Sequence, residues 1–335
     1  SLSPKNTPVP RPGDSQPISA AGAGDFMGLT CNPADVILHV SLPRSSQTRD
    51  RKRMPRLASK ERRNVDLHIH TSFSDGTCSV REVVDMAAGK SLAAIAVTDH
   101  DCIDAYPEVE RRGMEAGIEV IPGLELSSEI QGADIHILGY YIDIHNAALQ
   151  AKLREMKKAR YERARKIVRN LNGQGIDLRF DTVLKTAGKG AIGRPHIAAA
   201  MLKEELIDYF REAFDKHIGY DSPAYVEKLT LSPRQVFDLI REAGGMPVLA
   251  HPGATRVDER IPEFIESGLM GIEVYHPDHS GAQERRYLQL CKTCNLACTG
   301  GSDFHSVTHY RSEIGNPAVP YRTVTSLREK RETPA

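Results

Sequence analysis

The sequence predicts an α/β fold, a parallel sheet or barrel that carries a mainly helical insertion. Three observations indicate this class. Short apolar, β-branched runs recur from Asn64 onward, helical patterns separate several of them, and residues 146–235 have mostly helical spacing. Strands that alternate with helices in this way are typical of parallel α/β architectures. The length of 335 residues leaves room for about two domains.

Seven runs are candidate strands, in order 65–70, 93–98, 118–121, 134–140, 247–251, 271–275 and 296–300. In the first, VDLHIH, apolar and polar residues alternate with the period of two that a strand requires. The clearest helix start is at Ser232-Pro233, where an N-cap Ser precedes Pro at the first helical position and Gln235 stands three residues after the cap. Gly244 is expected to end that helix.

The insertion at 146–235 is predicted to be a substrate cap on a domain formed by residues 64–145 and 236–322. Its first helix has one apolar stripe, formed by Leu149, Leu153, Met156, Ala164, Ile167 and Leu171. Residues 152–169 hold nine Lys/Arg against only Glu155 and Glu162. A charged helical face is usually just a solvated one, but this excess of one sign indicates a face turned toward an anion.

Both ends of the chain are expected to lie outside the core. Residues 1–63 are rich in Pro, Ser, Ala and Gly, and 49–63 carry eight Lys/Arg against two acids, which is typical of a disordered, solvated leader. A transit peptide or an RNA-attracting arm is the alternative. Met54 is a candidate natural start, and residues 323–335 are predicted to be a polar tail.

The composition excludes several classes of protein. Lys+Arg and Asp+Glu both number 44, which argues against a generally basic nucleic-acid coat. No run approaches the roughly 18 apolar residues of a membrane span, and six Cys indicate a reducing, cytoplasmic compartment, with organelle targeting by 1–63 left open. Aromatic residues make up 6% of the chain and Trp is absent, which weakens any model built on aromatic stacking. The chain also has 13 histidines, and the question is whether they lie close to one another in the fold.

Polar residues do gather at the ends of the candidate strands. Nearly all lie at or just beyond a carboxyl end, where parallel α/β folds build their active sites. In chain order they are His68, His70, Asp75, His100, Glu125, His136, His251, Asp303 and His305. A single one of them would more often be a satisfied core residue than a ligand.

Nine such residues together predict a metal cluster. Burying them without a compensating charge would cost several kcal/mol each. His68-Ile69-His70 is the most specific element, because the period of a strand points both rings to one face. Imidazole and carboxylate ligands without Cys suit Mn, Zn or Fe rather than Ca or Mg. Nine ligands exceed what one ion uses, so two or three divalent ions are expected.

These residues, in their motifs, resemble the PHP (polymerase and histidinol phosphatase) family over about 64–322. The matching motifs are His68-Ile69-His70 through Asp75-Gly76, Thr98-Asp99-His100, Pro122-Gly123-Leu124-Glu125, Ala250-His251-Pro252 and Gly301-Ser302-Asp303-Phe304-His305. The resemblance implies a distorted seven-stranded (β/α)7 barrel, a trinuclear site that commonly holds Mn, and phosphoesterase chemistry. It also implies how the ligands divide. One ion would lie on His68, His70, Glu125 and Asp303, a second on Glu125, His136 and His251, and a third on Asp75, His100 and His305.

Within that family, Gly193-Arg194-Pro195-His196 and Pro223-Ala224-Tyr225-Val226 resemble the branch of 3′,5′-nucleoside bisphosphate phosphatases and 5′-to-3′ exoribonucleases. Arg194 and His196 suit capture of a second phosphate, and Lys228 is a weaker candidate. Arg160 and Arg163 of the basic helix are expected to hold the rest of the substrate. The alternative for Arg194, His196 and Lys228 is ordinary helix capping and surface charge.

The resulting hypothesis is a phosphoesterase in which metal-bound hydroxide attacks phosphorus of a nucleotide or a short RNA end. His251, Asp303 and His305 are the candidate catalytic residues, and His251 or His305, if not fully committed to metal, would protonate the leaving oxygen. A small-molecule phosphatase resembling histidinol phosphatase and a non-catalytic metal- or nucleic-acid-binding module are the alternatives. No membrane and no obligate protein partner are indicated.

Three further patterns are given no direct catalytic or cofactor-binding role. Gly188-x-Gly190-x-x-Gly193 follows helical spacing, so it is not expected to be a dinucleotide site. Cys291-x-x-Cys294 lies in a predicted helix without a second pair, which favours core cysteines. His276 and His279 follow the sixth strand and are kept as groups that support ligands or substrate.

Overall fold

Two sheets, one of four strands and one of five, form the framework of the chain. The structure is a computed structural model that describes residues 64–188, 190–307 and 313–332. The predicted leader at 1–63, with Met54, lies outside the described residues, as do the last three residues of the predicted tail. Among the described residues, no helix combines the length and apolarity needed to cross a membrane. The cytoplasmic location stays a prediction.

The strands in chain order are β1 (Asn64–Ile69), β2 (Ala94–Val97), β3 (Glu119–Val120), β4 (Gly123–Ile130), β5 (Ala133–Tyr140), β6 (Met246–Leu249), β7 (Gly271–Tyr275), β8 (Ala297–Gly300) and β9 (Val319–Pro320). One sheet has the order β3-β2-β1-β9 and the other β4-β5-β6-β7-β8. The pairs β1–β2, β2–β3, β6–β7 and β7–β8 are parallel, whereas β1–β9, β4–β5 and β5–β6 are antiparallel.

The hairpin formed by β4 and β5 is the largest departure from the predicted parallel pattern. All eight residues of β4 pair with β5, from Gly123 opposite Tyr140 to Ile130 opposite Ala133. The turn between them is Gln131-Gly132, and both residues have left-handed φ values, 51° and 83°. Two consecutive residues of that conformation make the turn whose twist matches a two-residue hairpin. The sheet is therefore mixed.

The α/β class predicted from the sequence is confirmed, since helices and mainly parallel strands alternate along the chain. The described residues form nine strands where seven were predicted, and β4 and β9 are the additions. Two single bridges join the two sheets, one between Ile69 and Phe304 and one between His100 and Glu125. The seven-stranded barrel itself stays a prediction.

The helices are α1 (Val80–Gly89), α2 (Tyr106–Ala116), α3 (Ala147–Gly173), α4 (Phe180–Ala187), α5 (Arg194–Lys203), α6 (Phe210–Glu212), α7 (Pro233–Glu242), α8 (Pro252–Thr255), α9 (Ile261–Glu266), α10 (Gly281–Thr293) and α11 (Arg322–Glu332), with a π-helical turn at Ala213–Ile218 and a 3-10 turn at Asp258–Arg260. The predicted start of α7 is confirmed, because the Ser232 side chain accepts from the Gln235 amide in a complete capping box. The predicted apolar stripe of α3 is buried along its whole length.

The helical segment has a hydrophobic core of its own. Residues of α3, α4 and α5 supply it, among them Leu171, Val183 and Met201, each 0% exposed. This core supports the predicted cap at 146–235, whose boundaries stay a prediction. At the other end of the chain the structure differs from the predicted polar tail. Most of that tail lies in α11, which buries Val324 and Leu327 against the strands.

Candidate metal centre

The nine predicted ligands come together in one cluster. His68 and His70 lie at the end of β1, His100 follows β2, and Asp303 and His305 follow β8. Glu125 differs from its predicted place after the third strand, since it is the third residue of β4, whereas His136 lies within β5, on the strand predicted for it. The hairpin carries both side chains to the same place, because β4 and β5 run past the ends of the parallel strands.

Glu125 is the centre of the cluster. Its side chain is fully buried, and imidazole rings surround both carboxylate oxygens. The contacts to Oε2 are His68 Nε2 at 3.4 Å, His70 Nε2 at 3.2 Å and His100 Nδ1 at 3.1 Å, and those to Oε1 are His136 Nδ1 at 3.1 Å and His251 Nε2 at 3.2 Å. A carboxylate with each oxygen among several imidazoles is placed to bridge two ions.

Two aspartates complete the cluster on opposite sides. Asp303 Oδ1 lies 3.2 Å from Nε2 of both His68 and His70. Asp75 faces His305 Nε2 at 3.3 Å and His100 Nε2 at 3.8 Å. Both carboxylates are therefore within reach of cations that the imidazoles also touch.

Every one of the nine residues belongs to a set of ligand atoms within 4.8 Å of one another. The four sets are His70-Asp75-His100-His305, His68-His251-Asp303, His68-His70-Glu125 and His100-Glu125-His136. The sets overlap at His68, His70, His100 and Glu125, as expected when neighbouring ions share a ligand shell. Divalent metal ions fit these donors.

Orphaned polar atoms test that fit independently. Four buried side-chain atoms of the cluster have no neighbour in hydrogen-bonding geometry, although nitrogens lie 3.1–3.4 Å from Glu125 Oε2; they are Asp75 Oδ1, His100 Nδ1, Glu125 Oε2 and His251 Nδ1. Buried polar atoms are normally hydrogen-bonded, and leaving one unpaired costs about 1–3 kcal/mol. Ions at the cluster would give such atoms partners. The types of donor atom and the unpaired atoms therefore both indicate a metal site.

The pKa values of the cluster residues indicate that its carboxylates are negatively charged and attract protons or cations. Burial alone would raise the pKa of Glu125, but His100, His136 and His68 hold it well below its usual range. Burial opposes charge on His70 as well, yet hydrogen bonds to Asp303 and Glu125 raise its pKa to about 10. Without metal the carboxylates thus stay ionised and keep a proton on His70. Metal ions would take the place of that proton.

The backbone is strained where it delivers ligands to the cluster. Asp101, His251 and Asp303 have φ values of 50°, 28° and 50°, in the left-handed region that residues other than Gly seldom adopt. Beside them Gly301 lies against β1, and a Cβ there would stand 2.4 Å from the backbone N of His68. Only Gly permits this approach, which brings Asp303 next to the His68-Ile69-His70 motif.

Glu273 is a site residue that the sequence analysis missed. It is fully buried on β7, where it accepts from His68 Nδ1 at 2.9 Å and from the His251 backbone amide at 2.8 Å. The proton on His68 Nδ1 leaves the Nε2 lone pair to face the cluster. The signal available in the sequence was an acid between Ile272 and Val274 in an apolar strand, which marks a buried carboxylate that needs a partner.

The two histidines after β7 take different roles. His276 Nδ1 accepts from the Asp278 amide at 3.1 Å, so its Nε2 carries the proton toward Asp303 Oδ2, 3.4 Å away. His279 donates from Nδ1 to the Val274 carbonyl at 2.8 Å and accepts the Gly253 amide at 3.2 Å. His276 therefore supports a candidate ligand, whereas both nitrogens of His279 are used by the backbone.

The predicted substrate cations are close to the cluster, but two of them are already paired. Arg160 donates from Nε to buried Asp101 at 2.8 Å, and Lys228 forms an ion pair with Asp134. Arg163 donates to the Val226 carbonyl at 2.7 Å. The space between Arg160, Arg163 and Lys228 is only about 10 Å³, room for about one water molecule. Arg160 and Lys228 therefore connect the helical segment to residues outside it, Arg163 bonds within that segment, and phosphate binding by all three stays a prediction.

Arg194 and His196 begin α5 on the other side of the cluster. His196 Nδ1 accepts the Gly193 amide at 2.9 Å and so caps its own helix, which is the alternative role named for it. Its ring is nevertheless part of the wall of a cavity of about 850 Å³ that also reaches Asp75 and His305. The Arg194 guanidinium lies 4.4 Å from the centre of the Tyr220 ring. Both side chains form hydrogen bonds to the backbone, at the Gly193 amide and the Ile218 carbonyl, and their substrate roles stay predictions.

The structure agrees with the non-catalytic roles predicted for the glycine pattern and for Cys291. Gly190, the middle glycine of the Gly-x-Gly-x-x-Gly pattern, packs against the backbone of Phe73, where a Cβ would stand 2.5 Å from the carbonyl oxygen. The pattern therefore follows α4 and closes the loop onto the sheet. Cys291 is buried in the core with its thiol 3.5 Å from the Ala297 carbonyl, as predicted for a core cysteine.

Comparison with known proteins shows which family and which solved structures this chain resembles. A sequence model of the PHP domain matches residues 66–242. A solved structure of a candidate metal-dependent phosphoesterase from Bifidobacterium adolescentis superposes with a TM-score of 0.73 at 29% identity, over 78% of this chain and 94% of that one.

Three curated relatives cover most of the described residues. A 3′,5′-nucleoside bisphosphate phosphatase of Chromobacterium violaceum is 32% identical over 259 residues, 76% of this chain and 91% of that one. A phosphoribosyl 1,2-cyclic phosphate 1,2-diphosphodiesterase of Eggerthella lenta is 29% identical, over 72% and 93% of the two chains. The 5′-3′ exoribonuclease Rnm of Salmonella typhimurium is 30% identical, over 72% and 84%.

Proposed function

The chain belongs to the PHP domain family and is a phosphoester hydrolase, and from this premise we propose that its substrates are 3′,5′-nucleoside bisphosphates, 5′ ends of short RNA, or both. One observation carries the proposal. Nine side chains from separate strands and the loops after them converge on a buried cluster, four of whose donor atoms lack hydrogen-bond partners. That cluster opens into a cavity large enough for a nucleotide, with Asp75 and His305 in its wall.

We propose that the cluster holds three divalent ions, with Mn first and Zn or Fe as alternatives. The proposed ligands are His68, His70, Glu125 and Asp303 for one ion, Glu125, His136 and His251 for a second, and Asp75, His100 and His305 for a third. The contacts of Glu125 with five imidazoles support its place between ions. Bound ions would lower the pKa of a coordinated water toward about 7 and offset charge on the phosphate oxygens.

The chain's own residues would orient the reacting groups. Glu273 keeps His68 in the tautomer that presents Nε2, and His276 donates to Asp303 and fixes its carboxylate. His305 donates from Nδ1 to the Asp303 carbonyl at 2.9 Å, which leaves Nε2 toward Asp75 and the cavity. Of the two candidate acids, His251 and His305, the second would be the better placed to pass a proton to a leaving oxygen where its Nε2 is not committed to metal, because it lines that cavity.

We further propose that the two sheets close into one distorted seven-stranded barrel. The strand order would be β1-β2-β4-β5-β6-β7-β8, with β3 and β9 as edge additions. The bridge from His100 to Glu125 supports the β2–β4 junction and the bridge from Ile69 to Phe304 supports the β8–β1 junction. Both junctions consist of cluster residues or their neighbours, so closure of the barrel and assembly of the site would be one event.

The test combines metal content with a substrate panel. Purified protein is loaded with Mn and assayed on a 3′,5′-bisphosphate, a 5′-phosphorylated oligoribonucleotide and histidinol phosphate. We expect hydrolysis of at least one nucleotide substrate, and we expect His68→Ala to lower both kcat/KM and bound metal by more than about 100-fold. His145→Ala, which removes an exposed histidine outside the cluster, is the matched control and should change neither.

Two results would contradict the proposal. Full activity and unchanged metal content in His68→Ala would show that the cluster is not the metal centre. A preference for histidinol phosphate over both nucleotide substrates would instead favour the small-molecule phosphatase.

A further inference from the structure

Aromatic side chains are concentrated in one part of the helical segment. Eight Phe and 11 Tyr are spread over 335 residues, yet five of them fall within residues 209–225. They are Tyr209, Phe210, Phe214, Tyr220 and Tyr225. The low aromatic content of the whole chain, which weakened any stacking model, thus conceals a local excess.

Four of these rings form a continuous row with Arg194. The Phe210 and Phe214 rings lie 5.7 Å apart, and the Tyr220 and Tyr225 rings 5.2 Å apart. The Arg194 guanidinium lies between the two pairs, 5.9 Å from the Phe214 ring and 4.4 Å from the Tyr220 ring. We call Phe210, Phe214, Arg194, Tyr220 and Tyr225 the cap aromatic surface.

Phe210 and Tyr220 are the exposed rings of the cap aromatic surface, whereas Phe214 and Tyr225 are half-buried. Phe210 is 44% exposed and Tyr220 54% exposed, well above the exposure expected of rings that serve only to pack a core. Their neighbour Leu202, 40% exposed, belongs to the same region. An exposed apolar patch of this kind, beside an active site, is typical of a surface that receives a ligand.

The surface approaches the candidate metal centre at two points. At one end Phe210 and Leu202 line the 850 Å³ cavity that is also lined by Asp75 and His305. Within the row the Tyr220 hydroxyl donates to Asp134 Oδ2 at 3.2 Å, and Asp134 Oδ1 lies 3.8 Å from His136 Nε2. A molecule whose phosphate occupies the cluster would therefore extend along these rings.

We propose that the cap aromatic surface binds the bases of a single-stranded oligonucleotide whose 5′ phosphate lies at the metal cluster. This inference rests on the proposed function and deepens it, because it selects an oligonucleotide over a mononucleotide as the preferred substrate. Exposed rings offer faces on which successive bases stack, regardless of sequence. The Arg194 guanidinium supplies a flat cation between the rings, suited to stack on a base or to pair with a backbone phosphate.

Charge in the same region favours a nucleic acid over an acidic or neutral partner. Arg163 lies over the other end of the row, with its guanidinium 5.6 Å from the Tyr225 ring. Arg160 and Lys228 stand behind it, although Asp101 and Asp134 offset their charges. Rings that alternate with arginines match a chain that alternates flat bases with phosphates.

The experiment measures binding without turnover. The full-length, Mn-loaded protein is titrated with 5′-phosphorylated, 2′-O-methyl, phosphorothioate-linked oligoribonucleotides of one, two, three and five nucleotides, and Kd is read from fluorescence anisotropy. We expect Kd to fall by about tenfold on going from one to three nucleotides. Phe210→Ala and Tyr220→Ala should each weaken binding of the trinucleotide by about tenfold.

Paired variants separate stacking from folding. Phe210→Leu keeps an apolar side chain but has no aromatic face, so it should weaken binding nearly as much as Phe210→Ala. Tyr220→Phe keeps the ring and should bind the trinucleotide within about twofold of the wild type. Tyr161→Ala removes a ring of α3 that contacts Phe180 and lies outside the row, and it should leave Kd unchanged.

The proposal is overturned if Kd does not depend on length, or if Phe210→Leu and Tyr220→Ala bind the trinucleotide as the wild type does. A surface that serves a protein partner would give that result. Because binding is measured with uncleaved RNA, its outcome is independent of hydrolysis. Absence of turnover on every nucleotide substrate, with length-dependent binding intact, would count against the proposed function alone.

Discussion

Glu273→Gln is the substitution that most directly tests how the cluster is held. The wild-type carboxylate accepts two hydrogen bonds, one from His68 Nδ1 and one from the His251 backbone amide. Burial opposes ionisation of Glu273, but the neighbouring His68 holds its pKa below the usual value. The carboxylate is therefore charged when it makes both contacts. Gln has the same shape but only one acceptor oxygen.

The magnitude follows from the two donors. The His251 backbone N–H cannot change its role, so the Gln oxygen is expected to accept from it. The Gln amino group then faces His68 Nδ1, which must give up its proton and accept. The proton moves to Nε2, the atom that lies 3.2 Å from Asp303 and 3.4 Å from Glu125. Loss of such an outer-shell carboxylate lowers metal affinity by about 10- to 100-fold, or roughly 1.4–2.7 kcal/mol.

The assay is competition for Mn between the protein and a fluorescent chelator. Glu273→Gln should raise the Kd for Mn by about 10- to 100-fold while far-ultraviolet circular dichroism stays native. Glu119→Gln is the matched control, since Glu119 on β3 pairs with Tyr321 and Arg328 away from the cluster. A Mn affinity within about twofold of the wild type would refute the argument that Glu273 sets the tautomer of His68.

Two further predictions concern the core of the helical segment and the metal. Leu171→Ala, at a fully buried position of that core, should lower the free energy of unfolding by about 2–5 kcal/mol in urea titration, and a loss below about 1 kcal/mol would show that the segment is loosely packed. Chelation should lower the Tm by about 5–10 °C if metal at about 100 times its Kd contributes about 2.7 kcal/mol, and added Mn should restore it. An unchanged Tm in differential scanning fluorimetry would contradict a metal that binds only the folded state.

The sequence predicted correctly those elements that depend on interactions between residues close in the chain. The Ser232 capping box starts α7 as expected, because the Ser and Gln side chains satisfy amides within their own turn. The stripe of α3 is buried as expected, since helical periodicity alone decides which side chains share a face. In both cases the residues that interact are close in sequence.

Strand β4, which was not predicted, shows the limit of predicting secondary structure from local sequence. Residues 123–130 contain Ser127, Ser128 and Glu129, which lower the apparent strand propensity. Pairing with β5 along all eight residues overrides that propensity. The turn signal was present in Gln131-Gly132, since Gly tolerates the left-handed conformation that a two-residue hairpin requires. Recognition of that turn would have placed Glu125 on a strand.

The basic side chains show a second limit. The sequence shows an excess of positive charge in α3, from which Arg160 is predicted to hold substrate. In the structure Arg160 pairs with Asp101, which is 59 residues away and buried, and its substrate role stays a prediction. An acid so distant in sequence has no local signature, and only the fold brings it to the arginine.

By itself the sequence determined the α/β class and which nine residues gather at the cluster. Most of those residues stand at or just after strand ends, and the types His, Asp and Glu are costly to bury without a compensating partner, which a shared metal site supplies. Only the tertiary structure decided which atoms meet, such as His68 and Glu273 across 205 residues of chain. It also decided that Phe210, Arg194 and Tyr220 lie in one row. The physical reason is that residue type encodes the chemistry of a ligand, whereas its partners depend on contacts that form when distant segments pack together.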